Sequence, residues 1–183
     1  MITNGKGRAV NEYMKSLFLL RHAKSSWSDP DLADFDRPLN PRGLDAAPFM
    51  GSVMAEKGYN PSIILSSPAE RARHTAHLTK GSGGLDAEIL YDDRIYEASP
   101  HALRQVISEL SDVHDSALIV GHNPGMEGLI RYLSSEIEAM PTAALAIIEL
   151  DLDSWRAVTD SCGRVKAIYR PKDEMPRSDA VGQ

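Results

Sequence analysis

The stretch Leu17-Phe18-Leu19-Leu20-Arg21-His22 decides the reading of this chain. Four consecutive large apolar residues without polar alternation suit a strand covered on both faces, and the run stops abruptly at an arginine and a histidine. Two later runs behave the same way. Ser62 to Leu65 gives way to Ser66-Ser67-Pro68 leading to Arg71, and Ala117 to Val120 gives way to Gly121-His122-Asn123. Helix-like segments separate these runs, which predicts an α/β domain layered around a largely parallel sheet. Ligands of open α/β sheets bind beyond the carboxyl ends of the strands. Adjacent parallel pairing would therefore gather Arg21, His22, Arg71 and His122 into one crevice.

Working outward, Asn40-Pro41 supplies a helix cap followed by a first-turn proline, and Gly58 supplies the stop. Pro48 lies inside that helix and predicts a kink or break near Ala47. A second helix is expected from about Pro68 to Leu78, ended by the flexible connection Gly81-Ser82-Gly83-Gly84. Ala87 to Tyr91 suits a strand, Ser99-Pro100 starts a helix ending near Leu110, and Asn123-Pro124 starts another ending near Leu133. The apolar runs Ala143 to Leu150 and Val165 to Tyr169, separated by turn material, predict an added antiparallel pair. The expected organisation is a flexible extension over 1–14, one domain over 15–171 and a C-terminal tail over 172–183. A single domain agrees with 183 residues, since domains commonly run to about 100–150.

Arginine is the informative partner in the crevice. Its planar guanidinium matches phosphate oxygens and stays charged at any working pH, so Arg21 and Arg71 would clamp a phosphoryl group. Helix N-termini after Pro68 and Asn123 would add backbone N–H donors. A histidine beside two cations is pushed toward its neutral, nucleophilic form, which suits His22 for attack on phosphorus. His122 suits a charged donor to the equatorial oxygens of the transition state. Water would then hydrolyse the phosphohistidine, a two-step covalent route needing neither metal nor cofactor. Glu97, in the loop before Ser99-Pro100, is the candidate general acid for an oxygen leaving group.

The bulk composition narrows the classes. A formal charge of −6 argues against nonspecific nucleic-acid binding, which requires a cationic surface. No apolar stretch approaches the ~20 residues of a membrane-spanning helix. The polar start lacks a secretory signal, and the lone Cys162 reads as an inert thiol in a reduced, cytoplasmic chain.

The motifs together resemble the histidine phosphatase superfamily with its RHG motif, and the chain is similar to the small SixA-like phosphohistidine phosphatase branch over roughly 17–171. The matching blocks are Arg21-His22, Asp36 to Asn40 with Arg42-Gly43, Ser66 to Ala69 with Arg71-Ala72 and Thr75, Tyr96 to Pro100, and Val120 to Gly125. Met140 to Thr142 and Arg170-Pro171 complete them. The resemblance implies a phosphoglycerate mutase-like three-layer sandwich, with a mixed sheet between helices. It implies His22 as the phosphorylated nucleophile, Arg21, Arg71 and His122 as phosphoryl-binding residues, and Glu97 near the family's acid position. Ala23 stands in place of the third-position glycine, as is usual in this branch. Ser28 replaces the asparagine of mutase-type relatives, so mutase activity is not implied. The helical insertions of larger relatives are absent, which implies an open site reachable by a phosphorylated protein side chain.

The expected activity is therefore dephosphorylation of phosphohistidine on a protein, such as a histidine phosphotransfer domain in signalling. The alternatives are a small-molecule phosphomonoesterase, which needs Glu97 as an effective acid, and a noncatalytic phosphoprotein-binding module. Other residues read as structural. Arg73, His74 and His77 suit a helix surface, Ser25 and Ser66 local backbone satisfaction, Trp27 packing against its loop, and the acidic loop over 29–36 plain solvation.

Overall fold

The computed structural model describes residues 14–175, so all but Met14 of the expected extension and residues 176–183 of the expected tail lie outside the described residues. Six strands form one sheet: β1 (Lys15–Arg21), β2 (Ile63–Ser66), β3 (Glu88–Tyr91), β4 (Ser116–Gly121), β5 (Leu145–Leu150) and β6 (Gly163–Tyr169), in the order β3-β2-β4-β1-β5-β6. The first four in that order run parallel, and β5 and β6 complete the sheet antiparallel, as the two late apolar runs led us to expect.

Strand side chains alternate between faces, so each buried run feeds two cores. Leu17, Leu19, Ile63, Leu65, Ala117 and Ile119 pack on one side, with α3 (Pro100–Ser108) and α4 (Gly125–Ser134). Phe18, Leu20, Ile64, Leu118 and Val120 pack on the other, with α1 (Pro41–Lys57) and α2 (Glu70–Gly83). The result is the expected three-layer α/β sandwich. Among the described residues no helix is long and apolar enough to cross a membrane.

Three local expectations are corrected. Helix α1 begins at the Asn40 cap, whose side chain accepts from the Gly43 amide, and ends at Gly58 with φ 72°, but it runs through Pro48 without a break. Proline removes a single backbone bond, and the packing of α1 along α2 holds the rest of the helix. The Gly81-Ser82-Gly83-Gly84 stretch is no flexible connection, because α2 continues to Gly83 and ends at Gly84. A Cβ at Gly51 would press into the Thr79 carbonyl and the Gly83 amide, so these glycines let two helix backbones touch. Helix α4 starts at Gly125 without a side-chain cap, and the Asn123 Nδ2 instead donates to Glu127 Oε1 at 2.8 Å and to the Met140 carbonyl at 3.0 Å. At the chain's far end, residues expected to begin a tail form α5 (Pro171–Glu174), and Met175 packs on the α1/α2 core.

One contact aligns the α1 start with the segment after His22. The Asn40 amide donates to the Lys24 carbonyl at 2.9 Å, and a Cβ at Gly43 would fall within the van der Waals shell of that same oxygen. Gly43→Ala is therefore expected to destabilise the fold by about 1–3 kcal/mol, read as a lower urea midpoint, and to reduce activity by shifting the chain beside His22.

Candidate active site

The parallel register brings three strand ends level, with Arg21 beside Gly121 and Ser66 beside Val120. The ladder extends one residue further on each side. The His22 amide donates to the Gly121 carbonyl and the Ser67 amide to the Val120 carbonyl, both at 3.0 Å. His22 and His122 consequently face each other with ring centroids 4.9 Å apart, only 8% and 7% exposed. Arg71, in the first turn of α2, joins them and is also buried. Thr75, one turn further along, ties these parts together. Its hydroxyl accepts from the Ala23 amide at 2.9 Å and donates to the Arg71 carbonyl at 2.6 Å.

The tautomer of His22 is fixed by its neighbour. His22 Nδ1 lies 2.8 Å from the Ala23 carbonyl, which can only accept, so Nδ1 carries the proton and Nε2 keeps its lone pair. Burial pushes the His22 pKa down to about 4; the Ala23 bond opposes this, and the charges of Arg71, Arg21 and Arg37 reinforce it. Burial is thus a larger cause than the cations emphasised by the sequence. It also pushes His122 to about 3, helped by His22, Arg71 and Arg21 and opposed by Asp34. Burial thus draws both rings toward the neutral form when no phosphate is bound. His122 Nε2 lies 2.8 Å from the Ser67 hydroxyl, while its Nδ1 is buried without a hydrogen-bond partner among the described residues.

Arg21 donates from Nη1 to the Met140 carbonyl at 2.9 Å, and its Nε is buried without a partner among the described residues. Burial lowers the pKa of Arg21, and the charge of Glu127 opposes this. Helix α2 begins without a side-chain cap, three residues after Ser67. Glu97 stands apart from this cluster. It is exposed, makes no hydrogen bond or ion pair among the described residues, and holds a left-handed φ of 50°. The preceding Tyr96 meets His122 edge-on at 5.5 Å.

Two residues outside the expected set, Asp34 and Arg37, join the cluster. Asp34, assigned to a solvated acidic loop, accepts from Arg71 Nη2, Arg37 Nη1 and the Tyr96 hydroxyl, each at 2.9 Å. Partial burial raises its pKa, yet the bonds from Tyr96, Arg71 and Arg37 win and hold it at about 2. Arg37, only 6% exposed, also donates to the Ser25 hydroxyl at 2.7 Å and lies 3.2 Å from the centroid of the Trp27 ring. Trp27 itself is 74% exposed, so it shelters the arginine rather than packing into its loop. Arginine before Pro38 in the motif block was the available signal for Arg37; the pairing of Asp34 with residues 37 and 62 positions away had none. His77, read as a surface histidine, bonds the Tyr91 hydroxyl at 2.8 Å.

Both buried histidines have pKa values below their ordinary 6.5, so the unfolded chain binds protons that the folded pocket refuses. Their stabilising effect is complete above pH 6.5 and is lost as pH falls toward 4. Urea unfolding should therefore show a loss on the order of 1–2 kcal/mol per histidine between pH 7 and pH 5. The loss should shrink in His122→Asn and when inorganic phosphate is present.

Comparison with known proteins identifies the family. A sequence profile of the histidine phosphatase superfamily (branch 1) matches residues 17–103. An uncharacterised protein of Mycobacterium tuberculosis is 31% identical over 164 residues, spanning 84% of this chain and all of the relative. The Agrobacterium tumefaciens protein assigned as phosphohistidine phosphatase SixA superposes with a TM-score of 0.74 at 30% identity, covering 86% of this chain and 98% of that one. The protein histidine phosphatase SixA bound to tungstate shares the fold, with a TM-score of 0.76 at 20% identity over the same shares of each chain. The chain belongs to the histidine phosphatase superfamily and to its SixA-like branch.

Proposed function

We propose that this phosphatase dephosphorylates phosphohistidine on proteins through a phosphorylated His22, without a metal. The carrying observation is the His22 Nδ1 bond to the Ala23 carbonyl. It leaves Nε2 as a nucleophile in the resting enzyme, and it holds the Nδ1 proton once phosphorylation makes the ring cationic. Arg21 and Arg71 supply fixed positive charge to the transferring group, and His122 supplies a ring nitrogen at its equatorial oxygens. Phosphoryl transfer requires positioning and charge, which these side chains provide.

The likeness to the Agrobacterium protein supports the choice of phosphohistidine. So does the distribution of carboxylates. Asp34 is committed to two arginines and holds its proton only near pH 2, so it is a poor acid for an alkoxide leaving group. An imidazole leaves more easily.

The test compares phosphate release from a histidine-phosphorylated protein and from an aryl phosphate, with chelator present, for wild type and His22→Ala. Wild type should release phosphate far faster from phosphohistidine, and His22→Ala should lose at least about 1,000-fold. Activity surviving in His22→Ala would refute the nucleophile, and cleavage of the ester alone would refute the substrate.

The left-handed backbone of Glu97 favours a second reading, since strained non-glycine residues cluster at functional sites. If Glu97 is the acid of a phosphomonoesterase, Glu97→Gln should slow ester hydrolysis by about 100-fold or more and spare phosphoramidate hydrolysis. Equal, small effects on both substrates would leave Glu97 outside the chemistry.

A further inference from the structure

The mechanism leaves Asp34 without a role, although it is the carboxylate most firmly built into the site. Its side chain is 46% exposed and stands between buried Arg37 and Arg71, under the Tyr96 hydroxyl. His22, at 8% exposure, lies deeper. In-line attack places the leaving group opposite the nucleophile, toward the open rim where Asp34 is held. Asp34 Oδ2 already accepts from Arg71 and Tyr96, whereas Oδ1 accepts only from Arg37. A carboxylate has about four acceptor positions, so one remains on Oδ1 and faces no competing donor among the described residues. Arg71 also keeps donors for phosphate. Two of its five N–H groups serve the Asp34 carboxylate and carbonyl, so carboxylate and phosphoryl group can be bound together.

We propose that Asp34 determines specificity for a nitrogen leaving group, by accepting a hydrogen bond from the protonated ring nitrogen of the departing imidazole. The assignment rests on the phosphohistidine reading above and gives it a residue. His22 Nε2 forms a bond to phosphorus as the substrate's P–N bond breaks, and the breaking bond's electron pair stays on the ring nitrogen that leaves. The other ring nitrogen is already protonated and held by Asp34, so the ring departs as neutral imidazole with no proton delivered to it. The phosphoryl group moves as PO₃⁻. Water then attacks phosphorus, both water protons leave with the product as H₂PO₄⁻, and the electron pair returns to Nε2. An ester oxygen has no such proton to offer the carboxylate, and Asp34 stays ionised far below neutral pH, so it repels a developing alkoxide.

The experiment measures kcat/KM for a phosphohistidine peptide and for 4-nitrophenyl phosphate across pH 5 to 9, in wild type and Asp34→Asn. The ratio of the two values should fall by about 10- to 100-fold in Asp34→Asn, the range of one charge-assisted hydrogen bond. The alkaline limb of kcat for phosphohistidine, which reports loss of the ring proton in the bound complex, should also move to lower pH. Equal losses on both substrates with an unmoved limb would overturn the role of Asp34, reducing it to a brace for Arg71, while leaving phosphohistidine as the substrate. A wild type that cleaves only the ester would overturn both readings.

Discussion

The pairing of β1 with β4 is the constraint on which the rest depends. Both strands are buried on both faces, and their parallel register ends at Arg21 beside Gly121. One backbone hydrogen bond beyond that, from the His22 amide to the Gly121 carbonyl, sets the two histidines side by side. A slip of one residue would turn every side chain of β1 to the opposite face, exchanging Leu19 with Leu20 between the cores and turning His22 away from His122. The apolar cores therefore specify the active site through register, before any polar contact within it forms.

Burial then determines the electrostatics. The strand ends and the overlying helices remove water from His22 and His122, and both rings lose their affinity for protons. The arginines cannot respond by giving up charge, so the crevice holds fixed cations beside neutral imidazoles. Positive potential is thus concentrated on the two arginines proposed to bind phosphate, while burial favours an uncharged His22. A dianion bound there would reverse part of this balance and return proton affinity to His122.

Much of this was legible in the sequence, because strand burial and strand ends are local signals. The runs at Leu17, Ile63 and Ala117, together with their polar successors, located the sheet, the crevice and four of its residues. Cap-and-proline pairs marked the starts of α1 and α3 correctly. The signals failed where tertiary packing overrode local preference. Pro48 sits in a helix secured by its neighbour, and Gly83 serves a helix contact rather than a loop. Asp34 was illegible for another reason. A carboxylate in an acidic, exposed loop carries no mark of the arginines that the fold brings to it, and only the return of the loop toward α2 and Tyr96 distinguishes it from Asp29 or Asp31.

The hydroxyl of Thr75 has a consequence for how such an enzyme can change. It joins the peptide after His22 to the peptide of Arg71, accepting a hydrogen bond from one and donating a hydrogen bond to the other. Valine there would keep the shape and lose both bonds, leaving a buried amide unsatisfied. Serine would keep the bonds and loosen the packing. Substitutions on the two sides of this link will accordingly be epistatic: adaptation of the helix bearing Arg71 to a new partner shifts the loop bearing His22, and lineages can tune the pair only in concert.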